Sequence, residues 1–278
     1  MVTRSPWLVD VRRTHVIQPI MQDARNTGAP DTRLGYSNTW IFFNAIGGGQ
    51  ADFDQPIANL SPRDRVVLYA FFNQKGHVDE LSHAFGKLLP EPHQLHGATV
   101  LDIGCGPFTA GLSLANVGGN GVIFRYYGID TSAAMCEFGG ELAAAAQDAG
   151  GLSANSTVAF HAALDGIDFG PARAGWTMVV LSYLLASDTL NIEALVAQLV
   201  RACDRIGPGP VAILYTNTTR EAAGAKFPEL EQRLLAARFV KTVEDRELLE
   251  DGDRPRPVHY ALFVRLAGAP MDIQAFRP

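Results

Sequence analysis

The sequence predicts an α/β fold: a mostly parallel sheet with helices on both faces, preceded by a helical N-terminal extension. Three observations predict it. From Thr99 onward, short apolar segments alternate with amphipathic ones, the pattern of buried strands joined by crossover helices. The first apolar segment, Thr99 to Ile103, runs straight into the glycine turn Gly104-Cys105-Gly106. The second, Tyr126 to Ile129, ends in an acid, Asp130.

The elements follow in order. Before residue 97 the pattern is helix and loop. Ser61-Pro62-Arg63-Asp64 starts a helix, with a Ser N-cap, Pro at the first helical position and an acid three residues after the cap. Gly76 is expected to break that helix, and a second covers Val78 to Leu89 before Pro90 and Pro92. Upstream, Trp40-Ile41-Phe42-Phe43 is an aromatic patch that docks the extension or lines a pocket, followed by Gly47-Gly48-Gly49. After the strand at Thr99, helices at Ala110–Val117 and Ser132–Ala149 flank the strand Tyr126–Ile129. Gly139-Gly140 inside the second helix marks a kink or a close contact. Strands at Thr157–His161, Thr177–Leu181 and Pro210–Tyr215 follow, with helices at Ile192–Cys203 and Glu229–Ala237. Segments near Phe239–Val243 and Val258–Leu266 read as a final antiparallel hairpin, and Arg254–Pro257 as its solvated tip. The division is therefore a helical cap over 1–96 and a ligand-binding domain over 97–278.

Bulk properties narrow the function. Of 278 residues, 47% are hydrophobic and 19% charged, which fits a globular chain. The net charge of −6 shows no overall basic excess of the kind that grips nucleic acid. The first forty residues hold five arginines (Arg4, Arg12, Arg13, Arg25, Arg33) against three aspartates, so a local basic patch stays open. Cys105, Cys136 and Cys203 are far apart and lack metal-ligand spacing, which reads as reduced thiols. No stretch has signal or membrane-span length, so a cytoplasmic location without membrane contact is expected. His77, His83, His93 and His96 match no metal pattern and read as surface residues; His161 reads as packing or surface. No metal is expected.

The chemistry sits in Val100-Leu101-Asp102-Ile103-Gly104-Cys105-Gly106-Pro107-Phe108-Thr109. Glycines at 104 and 106 let a ligand approach the backbone, and the helix N-terminus behind them offers free N–H groups. A nicotinamide dinucleotide fingerprint needs a third glycine where Thr109 stands. The carboxylate of Asp102 would repel a pyrophosphate but suits a ligand with an ammonium group, as on S-adenosylmethionine. Asp130, at the tip of the second strand, is placed to accept hydrogen bonds from ribose hydroxyls.

On these residues, 99–266 resembles a class I S-adenosylmethionine-dependent methyltransferase with a Rossmann-like, seven-stranded sheet. Asp102-x-Gly104-x-Gly106 is similar to the family's first motif, Asp130 to its second, and residues 177–185 to its fourth-strand motif. The resemblance implies that Asp102, Gly104 and Gly106, with Cys105 and Thr109 in the same turn, face the methionine moiety of the cofactor S-adenosylmethionine. It implies Asp130 and the adjoining Thr131 at the ribose, Asp165 at the adenine, and Ser182 beside the methyl-transfer site. Phe108 departs from the pattern, standing where the family commonly has another glycine, so that the loop is tighter or the ring shapes the pocket. Asp165 lies further past its strand than the family's acid.

The fourth strand ends Leu181-Ser182-Tyr183-Leu184-Leu185. It lacks the Asp/Asn-Pro-Pro signature of nucleic-acid amino-methylating enzymes, a cysteine placed for cytosine C5 chemistry, and, Asp188 aside, carboxylates for a catalytic metal. Transfer by proximity and orientation to a small-molecule acceptor is the resulting expectation, with Tyr183 as the catalytic candidate. RNA- or protein-directed transfer, a non-catalytic S-adenosylmethionine-binding module and a nicotinamide oxidoreductase are the alternatives.

Overall fold

The computed structural model describes residues 3–89, 95–250 and 255–267. Seven strands form one sheet: β1 (Thr99–Ile103), β2 (Arg125–Ile129), β3 (Thr157–His161), β4 (Thr177–Ser182), β5 (Val211–Thr218), β6 (Val240–Leu249) and β7 (Arg256–Arg265). Their spatial order is β3-β2-β1-β4-β5-β7-β6. The first five positions pair in parallel, and β7 runs antiparallel to both β5 and β6. The expected seven-stranded, mostly parallel Rossmann-like sheet is therefore present, with a register shift between Lys241 and Val243 in its outer strand β6.

Two cores result from the period-2 alternation of strand side chains. Val100, Met178, Val180, Ala212 and Leu214 point to one face, beneath helices of the extension and α4 (Thr109–Gly118) and α5 (Ala133–Asp148). Leu101, Val179, Leu181, Ile213 and Tyr215 point to the other, beneath α6 (Ile192–Ile206) and α7 (Phe227–Ala236). The N-terminal extension supplies much of the first core, with Leu8, Ile41, Val66, Leu68, Leu81 and Phe85 all buried.

The extension is more helical than its sequence pattern indicates. Residues 6–21 form a helical run, α1 (Pro6–Arg12) continuing through a π turn at Arg13–Ile17. Trp7 anchors it: a Cβ on Gly151 would lie 2.0 Å from the indole. Helix α2 (Pro62–Tyr69) begins at the Ser61 cap, where Ser61 and Asp64 form a reciprocal capping box. Gly76 does not break the helix. A π turn at Ala70–Gln74 leads directly into α3 (Lys75–Leu88), and the bare Gly76 backbone lies beneath the Arg256 guanidinium, 3.5 Å from where a Cβ would project. Packing outweighs the local cost of one helical glycine. Gly139 and Gly140 produce no break in α5; Gly139 serves a close contact, since a Cβ there would meet Phe160 at 2.8 Å. His93, residues 251–254, Pro90 and Pro92 lie outside the described residues.

Candidate active site

The order of strands reverses between β1 and β4, and open α/β sheets bind ligands at the crevice outside that switch point. A cleft of 410 Å³ sits there. Register brings its parts together: Ile103 pairs with Ile129, and the amides of Gly104 and Cys105 donate to the Ile129 carbonyl at 2.8 and 3.1 Å. The turn after β1 thus lies beside the acid after β2.

Asp130 is fixed by two backbone donors. Its Oδ2 accepts from the Gly106 amide at 2.9 Å and its Oδ1 from the Ser132 amide at 3.0 Å. Each oxygen retains acceptor capacity for a further donor, and Asp130 lines the cleft. Burial, with Asp54 nearby, pushes this carboxyl above its usual range against the pull of both amides. The glycines form the cradle: a Cβ on Gly104 would strike Leu184 at 3.0 Å, and one on Gly106 would reach Tyr69 at 3.8 Å. Gly104, Gly106, Asp130, Thr131, Ser182 and Tyr183 all line the cleft.

Other expected residues sit behind that surface or away from it. Asp102 is buried, and its Oδ2 accepts the Tyr126 hydroxyl at 2.5 Å. Burial pushes its carboxyl up to about 7 despite that hydrogen bond. The thiol of Cys105 is buried over Gly128, and Thr109 Oγ1 is a buried hydroxyl without a partner among the described residues. Asp165 is exposed beyond β3 and does not line the cleft. Phe108 takes the left-handed backbone (φ 66°) that glycine would adopt. Its ring turns into the core against Tyr126 and Phe160 rather than into the cleft.

The extension supplies the rest of the wall. Residues 49–54 and Tyr69 line the cleft opposite the glycine turn. Asp54 caps α5: its carboxylate accepts from Ser132 Oγ at 2.8 Å and from the amides of Ala133 and Ala134 at 3.0 and 2.9 Å. Burial opposes the charge on Asp54, yet these donors hold its carboxyl below the usual range, as expected at a helix N-terminus. Phe42 and Phe43 are solvent-exposed and Trp40 stacks on Tyr36, so the aromatic patch lies outside the cleft.

A polar cluster stands behind Tyr183, which occupies a left-handed conformation (φ 57°) just past β4. Its ring stacks on His77 at 4.0 Å, and its hydroxyl donates to Glu80 Oε2 at 2.7 Å. Arg256 of β7 reaches the same carboxylate, Nε to Oε1 at 3.3 Å, and also Asp79 at 3.1 Å. Burial pushes Glu80 up to about 7, opposed by Tyr183 and Arg256. Burial, with Arg256 nearby, pushes His77 down to about 4, leaving it neutral at pH 7. His77 is therefore not a surface histidine, nor Arg256 a solvated tip: both pack around Tyr183. Sequence reasoning missed Glu80, Asp54 and Tyr69 as site residues. The one available signal was an acid on the core-facing side of α3. Among the described residues, no three His, Cys, Asp or Glu side chains are grouped to hold a metal.

No family profile matches the chain, and no curated protein matches it. Among solved structures it is similar to a magnesium protoporphyrin IX methyltransferase from Synechocystis with bound S-adenosylmethionine, at 16% identity and TM-score 0.47 over 86% of this chain and 99% of that one. An arsenic(III) S-adenosylmethionine methyltransferase from Chlamydomonas reinhardtii gives 14% and 0.43, over 65% of this chain and 67% of that one. A putative RNA methyltransferase from Pyrococcus horikoshii gives 11% and 0.43, over 69% and 83%. At these identities the likeness concerns the fold.

Proposed function

We propose that the chain transfers a methyl group from S-adenosylmethionine to a small-molecule acceptor. The observation that carries this reading is the Asp130 carboxylate, held by the Gly106 and Ser132 amides at the mouth of the switch-point crevice. Its remaining lone pairs suit a vicinal diol, which is what the ribose presents. The glycine cradle fits a ligand whose polar end approaches the backbone. The sulfonium, when bound, supplies an electrophilic methyl carbon. The protein's own residues have to align the acceptor with it and exclude water.

The cleft lining favours a small acceptor over a polyphosphate: it includes Asp52, Asp54 and Asp130 and no Lys or Arg among the described residues. Its volume of 410 Å³ lies in the range of small-molecule sites, about 300–1,000 Å³. In this reading, residues 1–96 are a cap that shapes the acceptor side through residues 49–54 and Tyr69, and 97–278 hold the cofactor. The Tyr183–Glu80 pair is the acid–base device, because a carboxyl near 7 can take a proton through the phenol as the acceptor loses one.

Calorimetric titration with S-adenosylmethionine, S-adenosylhomocysteine and NAD tests the reading. Saturable binding of both adenosyl ligands is expected, weakened at least about tenfold in Asp130→Ala by loss of charge-assisted hydrogen bonds. Binding of NAD alone, or of none of the three, would overturn it.

A further inference from the structure

A second cavity, of 250 Å³, lies between the N-terminal helical run and helices α3, α4 and α5. Among the described residues it shares no lining residue with the cleft. Its walls are apolar, built from Leu8, Val11, Val78, Leu112 and Leu142. Its rim is cationic: Arg4, Arg12, Arg13 and Lys75 line it, while Asp79 is the one carboxylate among the described lining residues. That is unusual in a chain of net charge −6.

Lining cations outnumber the lining carboxylate among the described residues. Asp79 already serves Arg4 at 2.7 Å, Lys75 at 3.3 Å and Arg256 at 3.1 Å, and Arg13 pairs with Asp10. Arg12 has no carboxylate contact among the described residues. One of its nitrogens donates to the Phe71 carbonyl at 3.1 Å, and its Nε is buried without a partner. Burial and the neighbouring Arg4 both disfavour its charge, only partly offset by Asp79. Arg12 as a whole is half-buried, and an anion on the accessible part of a poorly partnered guanidinium offsets the cost of its partial burial. Two π turns, Arg13–Ile17 and Ala70–Gln74, pack against each other at this cavity, and such turns are frequent at functional sites.

We propose that this cavity is a binding site for an amphipathic carboxylate, its apolar body among the leucines and valines and its anionic head on Arg12 and Lys75. The size follows from the volume: an apolar cavity of about 150 Å³ admits benzene, so 250 Å³ suits a body of roughly eight carbons. A phosphate without an apolar body would leave the walls empty, and a neutral hydrocarbon would leave Arg12 unmet.

The test is calorimetric titration of the full chain with octanoate, and with octanol as the uncharged control. Saturable one-to-one binding of octanoate is expected, with octanol at least about tenfold weaker, the value of one charge-assisted contact. Arg12→Gln is expected to weaken octanoate by a similar factor. Val78→Phe fills the cavity and is expected to abolish binding with the circular dichroism spectrum retained. If the Phe variant does not fold, Arg12→Gln decides alone. Equal affinity for octanol, no effect of Arg12→Gln, or no saturable octanoate binding would each overturn the proposal. None of these readouts depends on methyl transfer.

Discussion

Asp102 and Glu80 are carboxyls that burial holds in a mostly protonated state below neutral pH, and each has a measurable consequence. Asp102 rises to about 7 from an ordinary 3.8, so between those values the folded chain binds more protons than the unfolded one. Stability then falls as pH rises through that window, by up to ~1.4 kcal/mol per pH unit. Urea unfolding at pH 5 and pH 8 is expected to show this loss in the wild type and a smaller one in Asp102→Asn, whose amide still accepts the Tyr126 hydroxyl. Equal losses in both proteins would show that Asp102 is not the group responsible. Glu80 bears on turnover instead. With labelled S-adenosylmethionine and an acceptor found by screening, Glu80→Gln is expected to remove the limb of the kcat profile near pH 7 and lower kcat about 10²-fold, in the range usual for acid–base groups. Cofactor affinity should stay within a few-fold. A wild-type pH profile in the variant would confine Glu80 to supporting the Tyr183 ring.

Within α5, two adjacent glycines give predictions of opposite sign. Gly139→Ala puts a methyl 2.8 Å from the Phe160 ring and 3.3 Å from the Phe108 amide; the clash is expected to cost about 1–3 kcal/mol. Gly140→Ala meets nothing within 4 Å among the described residues and should gain up to ~1 kcal/mol of helix propensity. Denaturant midpoints of the two variants decide it; a gain in both would mean Phe160 moves aside. The existence of this helix was legible from a capping residue at Thr131 or Ser132 and the glycine pair Gly150-Gly151 at its end, as were the five parallel strands from short apolar runs. Those signals are local. The role of each glycine was not legible, because Phe160 comes from strand β3 rather than from the helix itself. Likewise, Arg256 meets Asp79 across a separation of 177 residues, and nothing in the sequence around either position announces the other. The run at 6–21 was missed for a similar reason: its stability comes from docking through Trp7 and Leu8 more than from propensity. In the cleft, the glycine turn, Asp130 and Ser182 were legible as motif positions, whereas the wall from the extension was not.

The molecule as a whole joins its two proposed parts through one continuous core. Val66, Leu68, Leu81 and Phe85 of the extension pack in the same cluster as Val100, Val180 and Leu214 of the sheet. Calorimetric unfolding of the full chain is therefore expected to give one transition, with van't Hoff and calorimetric enthalpies equal. Two resolved transitions would mean that 1–96 folds independently of 97–278. The sheet's margins carry a different consequence. At one end lies β3, only five residues long. At the other lies β6, ten residues long, irregular at Lys241–Val243 and studded with Lys241, Glu244, Asp245, Arg246 and Glu247. An outer strand with free backbone groups invites a stranger's strand to add itself, and shortness, bulges and charge are what turn it away. The long final hairpin thus closes the fold with a rim that resists templated stacking, leaving the chain free to concentrate without its sheets joining edge to edge.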